Sequence, residues 1–418
     1  MNRYLRELRC VYCDARFAVG PMSAGCPTCR SATFASGLTP TYDYEGLRRD
    51  LGDGPLSEPA EGLWRYRRLL PIQRPQHEVT LGEGGTPLIP LPGLAAELNA
   101  EQVWIKDESG NPTWTFKDRN AAVTVSKALE FGAAAIVVST SGNYGASIAA
   151  YAARAGLECM ALTYPGIPDG TRTLIQAYGA HLIVTEPDKR WEVMERGMRE
   201  HGWYPASNYT DIPTNGAFGH EGYKTIAYEI AESLDAAPDL VSVPTAYGEG
   251  LFGIWKGFDE LVRLGRASGV PQMVACVPVG GPLIHAIRDP SRPIVKVPRA
   301  PTVARGIGGS VNSYISLVAL RASNGMVAQA DDEAIMTAQR TLAAEGFFVE
   351  PASAAALAGL RVLADNGQLA QGLRIVLVNT SSGLKSLEAI QAAYPERDSP
   401  PSDARQLDGL LAQSRAQR

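Results

Sequence analysis

The chain has 418 residues, 45% hydrophobic and 20% charged, an ordinary globular composition with length for two or three cores. A formal net charge of −5 gives no broad attraction for nucleic acid or an anionic membrane, which leaves small-molecule chemistry as the favoured class. No apolar stretch is long enough to span a bilayer, and Met1-Asn2-Arg3-Tyr4-Leu5-Arg6-Glu7 lacks the apolar core of a signal peptide, so the expected compartment is the cytoplasm.

Four of the six cysteines come first, as Cys10-x2-Cys13 and Cys26-x2-Cys29 with twelve residues between the pairs. Two close pairs on tight turns suit a structural zinc (Zn2+) site, because four thiolates complete a tetrahedron and leave no open position. Metal binding would supply folding free energy to a segment too short to bury a core. Two disulfides are the other reading, although nothing else suggests an oxidising compartment. Cys159 and Cys276 stand in apolar strand-like runs and are expected to pack as small hydrophobes.

From residue 100 onward, apolar runs of strand length at 134–139, 158–163, 181–185, 240–244, 273–279 and 374–378 alternate with helical patterns, including Ala-rich helices at 146–155 and 352–363. This alternation predicts an α/β fold of parallel sheets covered by helices. The polar, Pro-interrupted end at 395–418 reads as a mobile tail with at most a short helix near 407–411.

Four segments carry candidate chemistry. Asn111-Pro112-Thr113-Trp114-Thr115-Phe116-Lys117-Asp118-Arg119 puts a lysine after a Pro-containing turn, at a helix start. There the helix dipole and Arg119 disfavour a further positive charge, which makes the amine a candidate Schiff-base former; the same spacing also describes a plain solvated lysine. Thr140-Ser141-Gly142-Asn143-Tyr144-Gly145 joins a strand to an Ala-rich helix and offers amides and hydroxyls to an anion, or is a simple polar turn. Tyr247-Gly248-Glu249-Gly250-Leu251-Phe252-Gly253 reads as a phosphate cradle at a helix start. Its G-x-G-x-x-G spacing also admits a dinucleotide site, but the acidic residue such a site needs about twenty positions on is missing from Arg266-Ala267-Ser268-Gly269. Asn379-Thr380-Ser381-Ser382-Gly383 ends a strand and offers a hydroxyl to a ligand nitrogen, or is an ordinary polar strand end. The histidines form no close metal-ligand pair; His220, directly before Glu221-Gly222, is the one that stands beside a motif.

Leu81-Gly82-Glu83-Gly84-Gly85-Thr86-Pro87-Leu88 and Trp104-Ile105-Lys106-Asp107-Glu108, running into Phe116-Lys117-Asp118-Arg119, resemble the threonine synthase family of fold-type-II pyridoxal 5'-phosphate (PLP) enzymes. Glu221-Gly222-Tyr223-Lys224-Thr225 and Glu350-Pro351-Ala352-Ser353-Ala354-Ala355 extend the likeness, in order, over about residues 40 to 390. The cysteine spacing marks 1–40 as a zinc-ribbon-like module, and the resemblance implies two open parallel-sheet αβα domains, the larger from 41–115 and 225–394 and the smaller from 116–224. It implies that Lys117 holds PLP as a Schiff base and is the catalytic residue. By the same likeness Gly248, Glu249, Gly250 and Leu251 cradle the phosphate, Asn143 meets the ring oxygen and Thr380 the ring nitrogen, and Thr140, Ser141 and Tyr144 face the substrate. A neutral hydroxyl at that nitrogen leaves the ring a weaker electron sink, which favours elimination and replacement over transamination. The implied activity is that of a lyase acting on a small amino acid, by default O-phosphohomoserine plus water to threonine plus phosphate, in a homodimer.

The chain departs from the family pattern at the substrate pocket. Ser207-Asn208-Tyr209 lacks the usual proline, and Ala217-Phe218-Gly219-His220 lacks the usual arginine, which removes a bidentate phosphate clamp. Trp114 replaces a usual glycine, Tyr144 a usual threonine, and Glu249 stands among the cradle glycines, where its carboxylate is expected to point away or be paired. These departures keep open a serine or threonine dehydratase, or a cysteine- or cysteate-synthase-like β-replacement enzyme. From other classes, an NAD-dependent oxidoreductase rests on Gly248-x-Gly250-x-x-Gly253, and a zinc-ribbon binding protein with a catalytically dead large domain rests on the cysteines.

Overall fold

The computed structural model describes residues 2–391 except Ser141, Pro187, Asn215 and Asp235, together with Tyr394 and Gly409. The tail read at 395–418, with its short helix near 407–411, lies outside the described residues apart from Gly409.

Three sheets organise the chain. The first is antiparallel, order β2-β1-β3, from β1 (Leu5–Cys10), β2 (Arg16–Phe17) and β3 (Leu38–Tyr42). In chain order the remaining strands are β4 (Leu88–Pro90), β5 (Gln102–Asp107), β6 (Ala135–Ser139), β7 (Glu158–Thr163), β8 (His181–Val184), β9 (Tyr204–Pro205), β10 (Leu240–Pro244), β11 (Gln272–Pro278), β12 (Met326–Ala330) and β13 (Arg374–Asn379). They form a six-stranded sheet, β12-β11-β10-β13-β5-β4, and a four-stranded sheet, β8-β7-β6-β9. All pairs in these two sheets are parallel except β4 against β5. The short antiparallel edge strand is a feature the alternating pattern does not predict; its Pro90 suits an edge, where no partner needs a backbone N–H.

Burial on both faces explains the continuous apolar runs. In the larger sheet Val241, Val243, Val376 and Val378 enter one core with the helices His220–Ser233 and Glu249–Arg263. Their strand neighbours Leu240, Ile375 and Leu377 enter a second core with the helix Pro351–Asp365, so each face is dry and alternate residues serve each. In the smaller sheet Ile136 and Val138 pack beneath the helices Lys117–Glu130 and Asn143–Ala155, while Val137 and Leu162 pack with Met194 of the helix Arg190–His201. The boundary expected at 224/225 falls within the helix His220–Ser233, which is buried from His220 to Ile230. The cysteine segment is docked rather than free: Leu8 and Leu38 join the core of the smaller sheet, and Tyr12 packs edge-on against Tyr314 at 5.1 Å.

Parallel topology brings strand C-terminal ends to one place. The loops after β6, β10 and β13 and the segment before the helix Lys117–Glu130 border one cavity of 710 Å³ between the two parallel sheets.

Candidate active site

Lys117 is the first residue of its helix, and the segment before it is tied to the end of β13. Phe116 N donates to Thr380 O at 2.9 Å, Thr115 Oγ1 to the same oxygen at 3.1 Å, and Ser382 N to Trp114 O at 3.0 Å. Trp114 has φ +61°, a left-handed conformation that costs a non-glycine residue about 1–2 kcal/mol. The residue is 43% exposed, so burial offsets little of that cost.

The Lys117 ammonium lies 4.7 Å from the Phe116 ring centre, 5.7 Å from Tyr223 and 5.9 Å from Tyr144, in the cavity. Burial pushes its pKa below the usual lysine range, and the charges of Glu249 and Glu350 pull it back in part. Arg119 is not the cause read from the sequence. It is fully buried and turned away, donating to Glu108 at 2.7 and 2.9 Å, to Glu229 at 2.7 and 2.8 Å, to Thr225 and to Thr86. Lys106 joins Glu229 at 2.7 Å, and the partly buried Arg65 reaches the same carboxylate at 3.2 Å, so three cations and two carboxylates form one network. Although burial alone would raise it, Glu229 is held well below the usual carboxylate range by Arg119 and Lys106.

The β10 loop enters its helix through Gly248 at φ +90°, a backbone that L side chains rarely adopt. A Cβ there would lie 2.4 Å from Ser316 Cβ, and one at Gly250 would lie 2.7 Å from the Phe116 ring, so the residue before the lysine packs on the turn. The first internal bond is Phe252 N to Gly248 O at 2.8 Å, which leaves the amides of residues 249–251 without an intrahelical acceptor. Glu249 lines the cavity and acts electrostatically on Lys117, Tyr144 and Tyr223, so its carboxylate does not point away.

Other expected residues are placed as follows. Thr380 borders the cavity with its hydroxyl 2.8 Å from Ser353 Oγ. Asn143 Nδ2 donates to the two Glu350 oxygens at 3.1 and 3.0 Å. Tyr144 borders the cavity with its hydroxyl fixed by Asn120 Oδ1 at 2.7 Å and Ala206 O at 2.8 Å. Thr140 also borders it, but its hydroxyl accepts from Gly142 N at 3.0 Å and Gly145 N at 2.9 Å and so holds the loop. Ser141 lies outside the described residues. His220 is buried far from this role, bonded to Thr39 Oγ1 at 2.9 Å beside Glu221. Glu221 and Lys224 form a fully buried ion pair at 2.6 Å.

The cysteines converge. Their four sulfurs lie within 4.8 Å of one another, with Cys10–Cys29 and Cys13–Cys26 each at 3.7 Å. That is too long for a disulfide of about 2.05 Å. It is close to the separation of about 3.8 Å that four sulfurs at 2.3 Å from a tetrahedral centre require.

The model of the family described as pyridoxal-phosphate dependent enzymes matches residues 79–381, a span that holds Lys117, the glycine turn and Thr380. The chain belongs to that family. A threonine synthase of Methanocaldococcus jannaschii is 34% identical over 397 residues, covering 93% of this chain and 95% of that one. The threonine synthase of Synechocystis sp. is 37% identical over 331 residues, covering 77% and 82%. Among solved structures, diaminopropionate ammonia lyase from Escherichia coli superposes with a TM-score of 0.65 at 18% identity, covering 76% of this chain and 89% of that one, a likeness of fold. The chain is thus a fold-type-II pyridoxal-phosphate-dependent lyase of threonine-synthase type.

The residues present fit that cofactor. A pyridoxal-phosphate enzyme needs an amine, an anion cradle and a partner for the ring, and the amine of Lys117, the helix-start turn of 248–251 and the Thr380 hydroxyl border one cavity. The dinucleotide reading of the same glycines is set aside by the family match. Glu350 enters the sequence reading only as part of a family motif, and Lys385, Arg190, Arg299 and Arg305 receive no role there, yet all five line the cavity. No local spacing marks the last four.

Proposed function

We propose that this lyase carries out elimination and replacement on an amino acid whose side chain bears a leaving group, with O-phosphohomoserine plus water to threonine plus phosphate as the reaction. The observation that carries the proposal is the Lys117 amine, enclosed by three rings in the cavity that also receives the amides of 249–251 and the Thr380 hydroxyl. When bound, pyridoxal phosphate supplies an electron sink for the charge left at the substrate Cα. Gly248, Glu249, Gly250 and Leu251 would hold its phosphate, Asn143 and Thr380 its ring, and Lys117 its aldehyde carbon. Once the substrate amine takes its place, the freed Lys117 amine, with a pKa lowered by burial, would take a proton at Cα and return protons along the chain, while Tyr144 and the Thr140–Ser141 loop would orient the substrate. Water would add at Cβ after phosphate leaves Cγ.

A second reading, a serine or threonine dehydratase or a cysteine- or cysteate-synthase-like β-replacement enzyme, is favoured by the rings of Trp114 and Tyr144 at the cavity, which reduce room for a long substrate. Phosphate release from O-phosphohomoserine, assayed beside ammonia release from serine and threonine, separates them; absence of phosphate release refutes the first. Four further assignments belong to the proposal. Cys10, Cys13, Cys26 and Cys29 hold a structural zinc ion; two catalytic units run over 41–115 with 225–394 and over 116–224; the enzyme is a homodimer; and it works in the cytoplasm. Among the described residues no helix is long and apolar enough to cross a membrane.

A further inference from the structure

We propose that Arg190 and Arg299 form a subsite for a dianionic group, of phosphate type, at the far end of the substrate. The inference deepens the proposed reaction and rests on it for the substrate's identity. Arg190 opens the helix Arg190–His201 behind the smaller sheet, and Arg299 lies in the segment between the helices Leu283–Arg288 and Tyr314–Ala322 beside the larger one. Both line the cavity that holds Lys117, so they approach one space from two sides.

Neither is held in a salt bridge: Arg190 is half-buried with Asp188 acting on it from nearby, and Arg299 is exposed at the cavity rim. Arg119 and Arg67 sit against carboxylates at 2.7 Å. Among the described residues no carboxylate is within ion-pair distance of Arg190 or Arg299. The Arg190 Nε is buried with no hydrogen-bond partner. Aromatic faces orient both groups instead, with the Arg190 guanidinium 4.0 Å from the Trp191 ring centre and the Arg299 guanidinium 6.0 Å from that of Tyr164. Burial lowers the Arg190 pKa, Arg299 repels it further, and only Tyr247 and Asp188 act the other way. Arg190 also stands at a helix N-terminus, where the dipole disfavours a cation, although Glu192 in the same turn offsets part of this. Two like charges gathered against these terms are stabilised when a dianion lies between them. Two guanidiniums can each offer paired N–H donors to the oxygens of a phosphate, which has more acceptor oxygens and more charge than a single carboxylate.

The subsite also answers the missing arginine. Ala217 and Phe218, where the sequence lacks that residue, are buried, and the cations reach the cavity from other elements.

The test uses the cofactor-loaded enzyme, so that the cradle at 249–251 is filled, and inorganic phosphate as the probe in calorimetric titration. Arg299→Met, at an exposed position where folding is not at stake, and Arg190→Met should each weaken phosphate binding by about tenfold or more while the cofactor absorbance is retained. The ratio of kcat/KM for O-phosphohomoserine to that for serine should fall by about a hundredfold in either variant. Unchanged phosphate affinity in both variants overturns the subsite. If phosphate binding is lost in the variants but O-phosphohomoserine is no substrate of the native enzyme, the subsite stands and the proposed reaction fails. Binding so weak in the native enzyme that it does not saturate, an adventitious ion only, also overturns the subsite.

Discussion

Replacing Arg119 with methionine isolates a structural duty that the sequence had assigned to chemistry. In the native network Arg119 and Lys106 balance Glu108 and Glu229, all four nearly inaccessible to water. Without Arg119, Glu229 keeps Lys106 at 2.7 Å and Arg65 at 3.2 Å, but Glu108 is left with the neutral donors Thr86 Oγ1 and Asn111 Nδ2 and no ion-pair partner. An unpaired buried carboxylate of this kind costs about 3–5 kcal/mol. Arg119→Met should therefore lose that much in urea unfolding followed by tryptophan fluorescence. Adding Glu108→Gln removes the unpaired carboxylate and leaves Glu229 with Lys106 and Arg65, so the double variant should recover about 2 kcal/mol relative to Arg119→Met alone. Cofactor absorbance should persist in the folded variants, since Arg119 does not face the cavity. A single variant costing under about 1 kcal/mol, or a double variant no more stable than the single, would refute the reasoning.

Three more outcomes follow from other parts of the molecule. Trp114→Gly and Trp114→Ala both delete the ring, but only glycine accepts φ +61° freely, so the glycine variant should be the more stable by about 1 kcal/mol in thermal unfolding, and equal stabilities would contradict the strain. Burial raises the Glu83 carboxyl from 4.5 to about 7, against hydrogen bonds from Tyr151 Oη and Leu81 N. The folded state then binds more protons than the unfolded one between those values, so native stability should fall as pH rises from about 4.5 to 7; Glu83→Gln should flatten that slope in parallel denaturation series, and an unchanged slope would place the proton elsewhere. Zinc measured by elemental analysis should be near one per chain and absent from Cys26→Ser, with faster proteolysis confined to residues 1–40; full retention of the metal by that variant would exclude the four-sulfur site.

Much of the architecture was written in local pattern. Continuous apolar runs marked the buried parallel strands because both faces of each sheet are covered, and C-x2-C pairs marked a sulfur cluster because each turn fixes two ligands. The lysine segment was legible as a helix start, since Pro112 and the following polar residues end one element and begin another. What escaped depends on partners far along the chain. Arg119 finds Glu229 across 110 positions, so its sequence neighbour Lys117 misled the electrostatic reading. The left-handed backbone at Trp114 is imposed by its bonds to the end of β13 and has no signature in a tryptophan. Arg190 and Arg299 come from different elements and meet only at the cavity, and nothing in their own surroundings along the chain distinguishes them from surface arginines.

The central claim, that Lys117 is the residue that binds the cofactor, has a competitor in the same cavity: Lys385, whose amine is buried without a hydrogen-bond partner and whose pKa is also lowered by burial. Borohydride reduction of the cofactor-loaded protein, followed by peptide mapping in a mass spectrometer, tells them apart. The structure predicts a pyridoxyl group on the peptide containing Lys117 and none on that containing Lys385. A label on Lys385, or an undiminished yield of labelled protein from Lys117→Ala, would contradict the account.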